Sequence, residues 1–323
     1  LRIDVKILIL ALISGTAYAG SLYSRPPEGL FQIKWEWDPT LLFFLTLAIF
    51  YFVGLRKFGK RKPVKNWQIG LFVTGLCFNI AALLPPIDPL SDQLFFVHMI
   101  QHQMFSAIGI PLMLFGVPFF VVIRALPHWF RKRFYFPILR SRILMFPFWL
   151  LSFPIPALIF YQAMIWLWHT PYFYNLALFN DVFHLLEHAC FAISALFLWR
   201  NIIAVHPVRS RLPLPARLLF LAIMEASNIG LSAWLSFSDR VFYGYEGIPQ
   251  PEWWTQGPLV DQQLGGLIMW VPGGFVNYLA MTIVFFVWAK QEQEKDRIRR
   301  ELKANASAIA TSNDRASANS VTD

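Results

Sequence analysis

Asp92-Gln-Leu-Phe-Phe-Val-His-Met-Ile-Gln-His-Gln-Met-Phe-Ser-Ala-Ile-Gly-Ile-Pro-Leu-Met-Leu-Phe115 holds no Asp, Glu, Lys or Arg after its first residue. Its only other ionisable side chains are His98 and His102. A run of about 20 apolar residues crosses the hydrocarbon of a bilayer as a helix, the form that satisfies every backbone N–H and C=O internally. Six further runs share the pattern: Thr40–Leu55, Trp67–Leu84, Leu144–Trp166, Asp181–Ala204, Ala216–Ser236 and Leu264–Ala289. Together they predict an all-α polytopic membrane helical bundle, a seven-helix transmembrane domain over residues 40–290. The composition agrees: 56% of the 323 residues are hydrophobic and only 15% charged, against about 25% in a soluble globular domain. An ordinary soluble enzyme is excluded.

Ahead of the first span, Arg2 and Lys6 flank the short apolar run Ile7–Ile13, and Ala17-Tyr18-Ala19 is followed by Gly20. This predicts a secretory signal peptide over residues 1–19, cleaved after Ala19, then an outer segment over 20–39. Short loops rich in Lys and Arg stay cytoplasmic. The net charge of +9 therefore reads as topology: 23 of the 28 Lys and Arg fall on alternate loops and on the tail. That places the mature N-terminus outside and the C-terminus in the cytoplasm, in a multi-pass protein of the plasma (inner) membrane, and leaves no nucleic-acid footprint. Residues 291–323 begin with mixed charges and end Ala/Ser/Asn/Thr-rich, which predicts a frayed helix passing into disorder. Cys77 and Cys190 form no C-x-x-C pattern; Cys77 reads as core, and Cys190 lies on the helix face turned away from His188.

Ionisable groups within a span cost about 2.5–3.5 kcal/mol each, so they mark function. The third span carries His98 and His102; the fifth carries His184, Glu187 and His188. Each histidine pair is spaced i, i+4, which sets two imidazoles on one helix face about 6 Å apart along the axis. Both spans run inward, and the pairs fall at matching depth to within about 5 Å, so four imidazoles are expected to meet in the outer half of the bundle. His169, at the outer end of the fourth span, caps the same site. Met269 in the seventh span offers a thioether, a soft ligand suited to Cu(I), while imidazole suits copper, zinc and iron. Asp92, Asp181 and Asp261 are read as negative charge drawing a cation toward the outer ends of their spans. Glu187, turned about 100° from His188, is read as a hydrogen-bond acceptor orienting a neighbour rather than as a ligand. Met99 and Met104 read as packing, His128 and His206 as interfacial residues. Glu225, Ser227 and Asn228 read as interhelical hydrogen bonding. The aromatic loop Asp239–Gln263 reads as an interfacial belt, with a lid as the functional alternative.

Four motifs in order, H-M-I-Q-H-Q-M (His98–Met104), W-H-T-P-Y-F-Y (Trp168–Tyr174), F-H-L-L-E-H (Phe183–His188) and D-Q-Q-L-G-G-L-I-M-W (Asp261–Trp270), resemble the CtaG-type family of cytochrome c oxidase assembly factors. The resemblance covers roughly Asp92–Ala289. It implies a non-enzymatic role in building a haem–copper oxidase by handling copper on the outer side of the membrane, with oxidase subunits or a copper donor protein as partners and the lipid bilayer as the surroundings. Two other readings use the same histidines: a membrane b-type cytochrome, with haem as cofactor, and a copper transporter.

Overall fold

The computed structural model describes residues 39–59, 64–204 and 210–319, with side chains to residue 307. The signal peptide, most of the outer segment and His206 lie outside the described residues. Those described form helices and no strand: α1 (Pro39–Phe58), α2 (Asn66–Ala82), α3 (Phe95–Phe115), α4 (Pro118–Ala125), α5 (His128–Arg140), α6 (Arg142–Leu151), α7 (Pro154–Trp168), α8 (Pro171–Leu178), α9 (Asp181–Ile202), α10 (Leu214–Ser236) and α11 (Gly257–Asn319). Proline at the first or second position starts α4, α7, α8 and α10, where its missing N–H costs nothing and its fixed φ favours the helix. Asn180 caps α9, its Oδ1 accepting from the N–H of Val182 at 3.1 Å and of Phe183 at 3.3 Å.

Among the described residues four helices are long and apolar enough to cross a membrane, α1, α9, α10 and α11; counting each bent pair, α3 with α4 and α5 with α6, as one span gives six. Rows of large apolar side chains face outward, among them Phe43 and Ile49 on α1, Ile143 on α6, Leu219 on α10 and Phe275 on α11. Such a surface suits lipid and not water, and the chain is a multi-pass membrane protein.

Bends and breaks divide several of these helices. The expected single span Leu144–Trp166 is split at Ser152 and Phe153 into α6 and α7, because Pro154 and Pro156 cannot continue the hydrogen-bond ladder of the preceding helix. Helices α3 and α4 meet at a bend of 68° at Val117, whose φ of 49° is left-handed. Helix α2 has 17 residues and α7 has 15, both short of the candidate spans. The helix expected to fray after Gln291 continues to Asn319, its exposed stretch lined by ion pairs at i+3 and i+4, Lys295–Glu292, Arg297–Glu294, Arg297–Glu301 and Arg299–Asp296. Cys77, expected in the core, is exposed.

Two buried regions organise the bundle. A large apolar one joins α1, α2, α3, α9 and α10 through Tyr51, Phe72, Phe105, Leu198 and Leu221. The other gathers Phe95, Met99, Tyr174, Leu231, Tyr243, Tyr245 and Met269 around the histidines. Here α11 approaches α3 closely because Gly265 carries no side chain: a Cβ there would collide with the Phe95 ring.

Candidate functional site

Helix α3 changes its winding directly after His102, where Gln103–Gly109 is π-helical. Such segments are frequent at functional sites because they re-aim the side chains on either side. The carbonyls here have additional donors: Ser106 Oγ–H donates to His102 O at 2.8 Å and the Trp199 indole to Ser106 O at 3.1 Å.

The two histidine pairs face each other as their spacing requires. Ring centroids lie 4.2 Å apart within His98/His102 and 4.4 Å within His184/His188, and 5.5 Å and 5.8 Å across from His98 to His184 and from His102 to His188. His169 follows α7 with its ring 6.4 Å from that of His102. His98, His102, His169 and His188 are buried. Met269 lines one cavity with Met99, His102 and His169.

Glu187 occupies a different place from the one expected. It is fully buried, with its carboxylate between the two imidazoles of α3, 3.8 Å from His98 Nε2 and 3.9 Å from His102 Nε2. The three side chains form a group whose ligand atoms lie within 4.8 Å of one another. These separations exceed a hydrogen bond, and one metal ion bonded to nitrogen and oxygen at about 2.0–2.2 Å can bridge groups set this far apart. Among the described residues neither oxygen of Glu187, neither ring nitrogen of His102, nor Nε2 of His98 finds a hydrogen-bond partner. Orphaned buried acceptors beside a carboxylate are costly, and a cation is the partner that this donor set suits. The signal for Glu187 lay in its spacing from His184, three residues earlier and so on a neighbouring face.

Asp261 also differs from expectation. Rather than standing open at the mouth of the bundle, it is fully buried, and its two oxygens accept the N–H groups of Phe95 and Phe96 at 2.8 Å each. These are the first residues of α3, so Asp261 caps the histidine helix from across the fold, where carboxylate and helix dipole attract. Asp92 and Asp181 are exposed near the starts of α3 and α9.

The loop between α10 and α11 lies over the cluster. Gln262 accepts from Phe242 N–H at 2.7 Å and donates to Arg240 O at 3.0 Å, and Gln263 donates to Ser238 O at 2.8 Å. Tyr243 stacks on Phe95 at 4.7 Å and donates its hydroxyl to His169 O at 2.9 Å. Tyr245 donates to Ser91 O at 3.0 Å, which leaves Tyr174 as donor in their 2.8 Å contact. Burial pushes the phenols of Tyr243 and Tyr245 well above the usual range, keeping them protonated and able to donate. The partners of these tyrosines, Ser91, His169 and Tyr174, are remote from them in sequence.

The polar residues of α10 make interhelical bonds, as expected: Asn277 donates to Glu225 at 2.5 Å, Asn228 to Met269 O at 3.1 Å, and the Trp166 indole to Ser227 at 2.9 Å. His128 is exposed and apart from the cluster.

Two mycobacterial proteins described as uncharacterized, one from Mycobacterium bovis and one from Mycobacterium tuberculosis, are each 26% identical over 269 residues. The match takes in 77% of this chain and 38% of theirs, so the chain spans well under half the length of these relatives. No solved structure matches. Residues 32–291, which contain every histidine of the cluster, match the cytochrome c oxidase caa3 assembly factor family, and the chain belongs to that family.

Proposed function

We propose that the protein serves oxidase assembly by binding copper as cargo at the cluster of His98, His102, His184, His188, His169 and Glu187, and by passing it to an oxidase subunit or receiving it from a donor protein. In this reading the chain crosses the inner membrane seven times, through α1, α2, α3, α7, α9, α10 and α11, with its basic loops and tail in the cytoplasm and the cluster in the outer half. Asp92 and Asp181 then add negative charge on the side from which copper arrives. The observation carrying the proposal is that imidazoles from α3 and α9 face one another around a buried carboxylate, the ligand atoms of His98, His102 and Glu187 lying within 4.8 Å of one another and the ring of His169 at their edge. Imidazole is a good copper ligand, and the adjoining thioethers favour the cuprous ion. Ring centroids mostly four to six ångströms apart, beside a cavity of only about 30 Å³, favour an ion over a haem plane.

The test is direct. Purified protein loaded with Cu(I) or Cu(II) should retain stoichiometric metal, and the His98→Ala/His184→Ala double variant should lose it; equal retention by both overturns the proposal. In cells lacking the gene, oxidase copper should fall while its haem stays. Loss of both together would sever the link to copper.

A further inference from the structure

His169 and Met99 meet in a way that ordinary hydrogen bonding does not explain. The Nδ1 of His169 lies 2.7 Å from Ile165 O. A carbonyl only accepts, so Nδ1 carries the hydrogen, and in the neutral ring Nε2 is left with a lone pair. That lone pair points at the Met99 sulfur 3.4 Å away, which is itself an acceptor without a hydrogen to give. Both residues are buried, at 2% and 1% exposure. Two lone pairs confront each other beside a small buried cavity, and what they share comfortably is a soft cation. With metal–nitrogen near 2.0 Å and metal–sulfur near 2.3 Å, a 3.4 Å separation corresponds to a ligand–metal–ligand angle of about 100°, close to tetrahedral.

The surroundings are built for this meeting. The cavity beside the pair is lined by His102 and Met269 as well, so two thioethers and two imidazoles face one space. The Met99 side chain runs over the bare backbone of Gly265, where a Cβ would come within 3.2 Å of its Cγ. Tyr243 holds the His169 carbonyl, and Asn228 holds that of Met269. Ring and thioether are thus anchored from three separate elements.

We infer that the cluster contains two positions of different donor chemistry: a thioether–imidazole position for Cu(I), formed by His169 Nε2 and the sulfurs of Met99 and Met269, and an imidazole–carboxylate position formed by His98, His102 and Glu187, with His184 and His188 beside them. His102 also borders the first. The inference rests on the reading of this cluster as a copper site and adds Met99 to it as a ligand. Sulfur selects the cuprous ion, whereas nitrogen and oxygen accept Zn(II) and Cu(II) as well. The two positions therefore separate metals by softness.

The experiment uses the full chain in detergent, produced with selenomethionine and loaded with Cu(I) under anaerobic reduction. Copper and selenium X-ray absorption should each show a copper–selenium distance. Met99→Leu keeps volume and apolarity; it should weaken Cu(I) binding at least tenfold in competition with a chromophoric chelator and leave Zn(II) affinity within twofold. His98→Ala should do the reverse. A copper shell of nitrogen and oxygen alone, or equal weakening of both metals by Met99→Leu, overturns the soft position and leaves copper binding intact. Wild-type protein that retains no copper overturns both readings together.

Discussion

Helices α3 and α9 face each other at two levels, and the levels obey different rules. Toward the basic end, Phe105, Ile110 and Met113 share a buried apolar cluster with Ala195, Leu198, Trp199 and Ile202. Toward the other end the same helices present His98 and His102 to His184, Glu187 and His188. Both levels exclude solvent, but the apolar level is complete in itself. The histidine level keeps buried polar atoms of His98, His102 and Glu187 that find no hydrogen-bond partner among the described residues and is held in place by groups outside it: Asp261 on the start of α3, Asn180 on the start of α9, and the tyrosines of the covering loop. One level contributes stability and the other uses it, a division common at functional sites.

The comparison breaks most sharply at Leu198, fully buried in the apolar level. Leu198→Ala should cost about 2 kcal/mol or somewhat more, the low end for core leucines because the unfolded chain in a membrane also keeps apolar neighbours. Denaturant titration in micelles should show that loss with metal stoichiometry unchanged. Glu187→Leu should act the opposite way. Metal affinity falls about ten- to a hundredfold, as when a metal-site carboxylate is removed, while the metal-free protein is no less stable, since an unpaired buried carboxylate has been replaced by an apolar group. A metal-free Glu187→Leu protein destabilised as much as Leu198→Ala would erase the distinction between the levels.

Asp261→Ala probes the support between them. Loss of a cap costs about 0.5–2 kcal/mol, and the start of α3 should loosen, seen as faster amide exchange at Phe95 and Phe96 with weakened metal binding. The smallest effect is expected from Asn180→Ala, about 1 kcal/mol or less, read in the same unfolding experiment. Its lesser effect follows from the site it caps: Asn180 is exposed at the start of α9, where water replaces the lost acceptor, and no water reaches the buried Asp261.

Much of the site was legible before any fold was known. Four histidines at i, i+4 on two apolar runs set two rungs of imidazole, and the equal depth of the runs predicted that the rungs meet. Met99 was taken for packing because it shares no repeat with a histidine of another helix; its partner His169 is 70 residues away. Glu187 was judged by its angle to His188 alone, when the position that mattered was set by α3 across the interface. Asp261 looked like an attractor of cations because the sequence shows a charge at a helix mouth and not that the charge is already used, on amides 165 and 166 residues distant.

By itself, the sequence determined the helices, the apolar faces and the histidine rungs, because those follow from a period of 3.6 residues and from the refusal of lipid to bond exposed backbone. Only the tertiary structure decided which faces met, where α3 was capped, and that the Met99 sulfur stands 3.4 Å from His169 Nε2. Those outcomes depend on how whole helices pack against one another, and no local spacing records which neighbour a helix face will find.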